Sequence, residues 1–228
     1  MATSQTLDRG LTALNRIATA DHPPTIDGLA AELGVHRSIA YRIVRTLEEH
    51  RLVHRDPQGR CRPASALVAL AAKARSPLQD AAAALLPRLA DDTALTAFLV
   101  VREGDEAVTV ESAAPTGPLV GVTYRPGSRH QIDQGAPGLA ILAGGPAVFG
   151  ERVEVADARH RGWATSDSEV IPGLRSIAAP VPAHDAAIAV VALAAAELDT
   201  DAVAEHVTAT AAALAQSVDA PLALQGDR

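Results

Sequence analysis

Apolar residues recur at helical spacing through the first 75 positions and in alternating or continuous runs from about residue 94 onward. Leu7, Leu11, Leu14, Ile17 and Ala18 predict a helix over about 6–19, ended by His22-Pro23-Pro24. A second, short helix is predicted over about 27–33, with Thr25 or Asp27 as its cap and Gly34 as its stop. A third runs over about 36–50. At about 100° per residue, Ile39, Ala40, Ile43 and Leu47 fall on one side, which is expected to pack inward. Arg37, Ser38, Tyr41, Arg42 and Arg45 fall on the other. Leu52 and Val53 then open a strand, Asp56-Pro57-Gln58-Gly59 supplies turn chemistry, and Arg60 to Arg62 begin a return strand.

The stretch over 63–74, PASALVALAAKA, is Ala- and Leu-rich and predicts a connecting helix. Ser76-Pro77 opens another, reaching about residue 91 with Pro87 a candidate kink. After that the period changes. Strands are predicted over 94–102 and 107–113, flanking Glu103-Gly104-Asp105-Glu106, with a third over 119–124 and a turn at Pro126-Gly127. Residues 135–143 read as a loop entering a helix, and 150–161 as a short helix. Two more strands cover 174–181 and 187–196, with His184-Asp185 at the turn between them. Asp199 caps a last helix over about 200–218, where Val203, Val207, Ala211 and Leu214 form a stripe, and the tail over 221–228 is expected to be loose. The expected architecture is α+β in two domains. A winged helix-turn-helix covers 6–62, a linker helix 63–75, and an α/β domain with a mostly antiparallel sheet of five or six strands covers 76–218. A module of the second kind binds a small molecule, dimerises, or does both.

Charge sharpens this picture. The chain carries −7 overall, which at first argues against nucleic acid. Through residue 62, however, nine arginines face seven acidic residues, a balance of +2, so the remainder carries −9. A local basic patch matters more than the total. Arg37, Ser38, Tyr41, Arg42 and Arg45 form the exposed face that a recognition helix needs, and Arg60 leads a hairpin fit to lie against the DNA backbone. The plain alternative is a solvated charged helix face. What separates the two is the order helix, Gly turn, Arg-rich helix and basic hairpin within about 40 residues.

Aromatics are scarce, so the core must be Ala, Val, Leu and Ile. No apolar run is long enough to span a bilayer, and MATSQTLDRG has no signal-peptide pattern. Cys61 is the only cysteine, which excludes an intrachain disulfide. A cytoplasmic protein without membrane attachment is expected.

Other chemistry is thinner. His50, His54 and Cys61 could in principle hold a metal, but Leu52-Val53 breaks the shared face, and no metal or cofactor is expected. Ser176 with His184 is a conceivable nucleophile and base with no orienting acid, and no Gly-x-Ser-x-Gly elbow is present, so no catalytic residue is assigned. Gly135-Ala136-Pro137-Gly138 could hold an anion or be a simple tight turn. Tyr124 and Trp163 are expected to be packed rather than to stack on a ligand.

Four stretches together resemble the isocitrate-lyase-regulator (IclR) family of bacterial transcriptional regulators. They are VHRSIAYRIVRTLEEHRLVHRDPQGRCR, EGDEAVTVES, PGSRHQIDQGAPGLAILAG and RGWATSDSEVIPGLRSIAAPVPAHDAAIAVVAL. In the last, Arg161-Gly162-Trp163, Glu169, Pro172-Gly173 and Ala178-Ala179-Pro180-Val181 match the family pattern. The resemblance runs over about 6–217 in order. It implies a winged helix, a linker helix and a GAF-like or profilin-like effector domain. It also implies dimers or tetramers on palindromic double-stranded DNA operators, and a response to small organic molecules, commonly carboxylates or aromatic acids. By position, the effector pocket would be lined by Ala136, Pro137, Ser166, Leu174, Ser176, Ala194 and Ala196. Here the chain departs from the family. Asp133 to Leu139 replaces a His, small-residue, Gly-Lys string, Ser176 stands where Cys is frequent, and Leu193 to Glu197 replaces a serine-rich strand end. Several hydroxyl donors are gone, and a buried carboxylate needs such donors. The expectation is an effector less polar than a short carboxylate, or none.

Overall fold

The computed structural model describes residues 4–117, 124–193, 196 and 198–219. The chain divides into two compact units, Met1–Arg75 and Ser76–Arg228. The first holds α1 (Gln5–Thr19), α2 (Ile26–Glu32), α3 (Arg37–Glu49), β1 (Val53–Arg55), β2 (Cys61–Pro63) and α4 (Ser65–Ala74). Thr25 caps α2 by accepting the Gly28 N–H. Gly34, at a φ of 61°, reverses the chain between α2 and α3, where a side chain would be strained. The two short strands form the wing as an antiparallel pair. At its turn the Asp56 carboxylate accepts the Gln58 and Arg60 N–H groups. The Arg60 bond, with Arg62 adding to it, holds Asp56 below the usual carboxylate range.

The core of this unit is Ala13 and Ile17 of α1, Leu29 of α2, Ala40, Ile43, Val44 and Leu47 of α3, and Val53 and Cys61 of the wing. Helix α1 forms over the expected span, but only its second half reaches the core, through Ala13 and Ile17, and Leu7, Leu11 and Ala18 are exposed. One expectation fails here: Ile39, expected inward, is exposed, and Val44 takes the inward place instead. Leu7, Leu11 and Ile39 form an apolar surface that this unit's own helices leave uncovered. The linker α4 has no buried residue at all.

The second unit holds α5 (Pro77–Thr93), β3 (Thr96–Glu103), β4 (Glu106–Ala113), β5 (Arg129–Gln131), α6 (Gly135–Gly144), α7 (Val153–Arg161), β6 (Ala164–Asp167), β7 (Leu174–Pro180), β8 (Ala186–Leu193) and α8 (Thr200–Asp219). Ser76 and Gln79 form a capping box at the start of α5, which runs through Pro87. The six strands lie in the order β5-β4-β3-β8-β7-β6, every pair antiparallel.

Central strands β3, β7 and β8 are covered on both faces, which explains their near-continuous apolar runs. Leu99, Ile177, Ile188 and Val190 face α5 and α8 in one core. Phe98, Val100, Ala178, Ala189 and Val191 face α6 and α7 in the other. The period of two along a strand divides the residues between the two cores. Val203, Val207, Ala211 and Leu214 are the buried stripe of α8, and the Asp199 carboxylate caps it through Ala202 N–H.

Strands β5 and β6 went unpredicted, being three and four residues long and polar. The predicted helix over 150–161 begins only at Val153. The predicted strand over 119–124 lies, apart from Tyr124, outside the described residues, as does the tail over 221–228.

Candidate nucleic-acid interface and effector cavity

The polar face of α3 and the wing assemble one surface in the first unit. Arg37, Ser38, Tyr41, Arg42, Arg45 and Arg60 are all exposed there. They are not equally available. Arg37 Nε sits 2.6 Å from the Asp27 carboxylate of α2, and Arg45 Nε sits 3.3 Å from Glu49 one turn on. Arg55 grips both oxygens of Glu48 at 2.8 and 3.0 Å, and its guanidinium lies 5.8 Å from the Tyr41 ring centre. That carboxylate raises the Arg55 pKa, first through its hydrogen bond. Arg62 Nε pairs with Asp56 at 2.9 Å. Neither Arg42 nor Arg60 makes a side-chain ion pair among the described residues. Exposed pairs of this kind are worth about 0–1 kcal/mol, so phosphate can exchange for the carboxylates. Arg42 and Arg60 need no exchange. Sequence alone could not sort these arginines, because each partner but Glu49 comes from another element.

Behind that surface, α1 and α3 enclose a groove of about 790 Å³. Leu7, Leu11, Ile39, Ile43 and Leu47 line it, with Arg42 and His50 also at its wall. On α4, Val68 and Leu70 are 72% and 60% exposed.

In the second unit a cavity lies at the start of α6, between β3, β7, β8 and the segment after β6. Of the residues assigned by resemblance, Pro137, Ser166, Leu174 and Ser176 line it. Ala136 is fully buried in the core, and its N–H donates to Ser166 Oγ at 2.8 Å. Ala196 is exposed and is not among the residues that line this cavity. Ala194 lies outside the described residues. Sequence reasoning missed Phe98, Tyr124, Val170, Ile171 and Val191 in the wall. The alternation of β3 and β8 puts Phe98 and Val191 on this face, a signal that could have found them. Tyr124 was expected to be packed, and it is: its ring stacks on Phe98 with centroids 4.4 Å apart. Burial pushes the Tyr124 phenol up.

With that pair in place the cavity holds only about 20 Å³, roughly the space of one water. Its polar end is already satisfied internally. Gly135 N–H donates to Glu169 at 3.0 Å, and Ser166 and Ser176 hydroxyls lie 2.9 Å apart. Arg152 holds the other Glu169 oxygen at 2.5 Å and donates to the Asp133 carbonyl at 2.6 Å. Glu154, and then Glu169, raise the Arg152 pKa. A carboxylate thus already occupies the positive end of α6.

Ser176 bonds to Ser166, whereas His184 faces Asp219 at 3.6 Å, so the two do not form a nucleophile–base pair. Cys61 is buried in the winged-helix core while His50 and His54 are exposed. No group of three or more metal-binding side chains occurs among the described residues.

Residues 6–57 match the IclR helix-turn-helix domain. A curated relative, the HTH-type transcriptional regulator BhcR of Paracoccus denitrificans, is 29% identical over 202 residues, covering 77% of this chain and 71% of that protein. Among solved structures, an IclR transcriptional regulator from Alicyclobacillus acidocaldarius superposes with a TM-score of 0.80 at 22% identity, over 95% of this chain and 100% of that one. An IclR homologue from Microbacterium hydrocarbonoxydans, solved with 4-hydroxybenzoate, gives a TM-score of 0.79 at 18% identity, over 95% and 100%. At those identities the structural likeness speaks for the fold.

Proposed function

We propose, from the premise that this chain belongs to the IclR family of transcriptional regulators, that it binds a palindromic operator as a dimer or tetramer and answers to a small organic effector. It carries no catalytic site in this reading. The observation that supports it best is the exposed basic face of α3 beside the wing, where Arg42 and Arg60 make no side-chain ion pair among the described residues. No described helix is long and apolar enough to cross a membrane, and the protein acts where the chromosome is, in the cytoplasm. Two protomers related by a two-fold axis set half-sites about one helical turn apart, roughly 34 Å, or a multiple of it.

The test is pull-down of fragmented source-genome DNA at two salt concentrations, followed by sequencing. One enriched palindrome that weakens as salt rises is the expected result. Sequence-independent binding alone would remove the operator reading. On the enriched site, Arg42→Ala is expected to cost about 1–3 kcal/mol if Arg42 reads a guanine. Unchanged titrations would take it off the interface.

The effector is less polar than a short carboxylate. Glu169 already occupies the cationic end of α6, and Phe98, Tyr124, Leu174 and Val191 make the remaining wall mostly apolar. The free space of about 20 Å³ is too small for an organic molecule, so in this reading the wall, with the Tyr124 ring in it, moves when the effector binds. A thermal-shift screen of small acids and apolar metabolites checks this. A ligand at 100 times its Kd adds about 2.7 kcal/mol, and apolar compounds are expected to give the shift. A strong shift from a short carboxylate alone would reverse the assignment.

A further inference from the structure

The recognition helix α3 is capped by a histidine. His36 Nδ1 accepts the Ser38 backbone N–H at 3.3 Å and lies 2.9 Å from the Ser38 hydroxyl. A backbone N–H can only donate, so Nδ1 holds the lone pair and the ring proton sits on Nε2. The Ser38 hydroxyl, meeting the same lone pair, is its donor as well. Two contacts to one residue fix both the tautomer and the direction of an exposed ring that would otherwise turn freely. The Nε2–H has no partner among the described residues. Ser38 lies on the polar face of α3 with Tyr41 and Arg42, so the ring held against it sits at the N-terminal end of that face. In a helix-turn-helix this is the end that enters the groove.

We infer that His36 is a further DNA-contacting residue: Nδ1 serves the helix cap, and the Nε2–H it fixes donates to a backbone phosphate beside the first turn of α3. The partner is phosphate because a helix N-terminus favours an anion and most side-chain contacts to a duplex go to its backbone. The inference rests on the DNA-binding reading above. It adds a contact that carries no sequence information but sets how the helix enters the groove.

Two substitutions in the full-length chain separate the ring's two nitrogens. In His36→Asn the amide oxygen stands in for Nδ1, asparagine being a preferred cap, but the outer donor is lost. In His36→Gln the amide N–H stands in for Nε2–H and the cap is lost. The probes are the palindrome that the wild-type chain enriches and a random-sequence duplex of the same length. His36→Asn is expected to melt like wild type yet bind both duplexes about fivefold more weakly. The ratio between the duplexes stays unchanged, because a phosphate contact carries no base information. His36→Gln is expected to melt lower but, well below its melting point, to bind both duplexes more tightly than His36→Asn. Wild-type affinity in His36→Asn would reduce His36 to a cap. Loss on the palindrome alone would mean a base contact and overturn the phosphate assignment. Failure of the wild-type chain to bind either duplex would sink the DNA-binding reading itself, and this inference with it, a result visible before any variant is made.

Discussion

Gly138→Ala is expected to lower the stability of the second unit by about 3 kcal/mol, seen as a lower melting temperature while the first unit's transition stays in place. Alanine is ordinarily the better helix former by about 1 kcal/mol, so propensity alone predicts the opposite sign. The geometry decides. A Cβ on Gly138 would stand 2.2 Å from the Ile132 carbonyl oxygen and 2.9 Å from its carbon. Both are backbone atoms that cannot rotate aside. Helix α6 would have to lift, and it carries Ala136, Leu139, Ala140 and Ile141 of one core and Pro137 of the cavity wall. Gly28→Ala in α2 is the contrast, since its Cβ would meet only the Thr25 hydroxyl at 3.6 Å and the Pro24 Cβ at 4.0 Å. That change should be neutral or stabilising. Equal melting of Gly138→Ala and wild type would mean that α6 does not press on the residue 132 backbone.

Val68→Asp combined with Leu70→Asp is expected to weaken palindrome binding by about 100-fold or more, with binding to a single half-site unchanged. Helix α4 is almost wholly apolar, yet none of its residues is buried. The groove between α1 and α3 is likewise apolar, with Leu7 and Leu11 61% and 52% exposed. Exposed apolar surface of this kind marks an interface, and the palindromic operator proposed above would need a second copy of this chain. Two carboxylates placed on α4 would have to be desolvated in that interface. Neither substituted side chain contributes to the core, so the melting of each unit should hold. Titration of duplexes carrying one or two half-sites, with mass measured by light scattering, reads the outcome. Undiminished palindrome binding would place the pairing of protomers elsewhere.

The winged helix was legible because its signals are local. Thr25, Gly34, the span of α3 and the Asp56 turn each follow from a few neighbouring residues, and all appear where the pattern put them. The α5 capping box, the α8 stripe and the long strands β3, β4, β7 and β8 were legible for the same reason. Ile39 was misplaced because a helical wheel gives directions without saying whether anything lies there to cover the residue. Val44 is inward because α1 and α2 happen to meet that side. The cavity was legible in part. Ser166, Ser176, Pro137 and Leu174 came from resemblance and line it, whereas Ala196 does not. Glu169 was visible as part of a family pattern, but nothing local ties it to Gly135, 34 residues away, or to Arg152.

Local chemistry along the chain, then, was enough for the helices, the wing and the main strands, because propensity, capping and period act over one or two turns. Three things waited for the folded chain: which arginines are paired with carboxylates, which apolar faces stay uncovered, and how much space the cavity beside α6 has. Each is a relation between elements distant in sequence, and only close approach in three dimensions sets the distances on which ion pairing, burial and cavity volume depend.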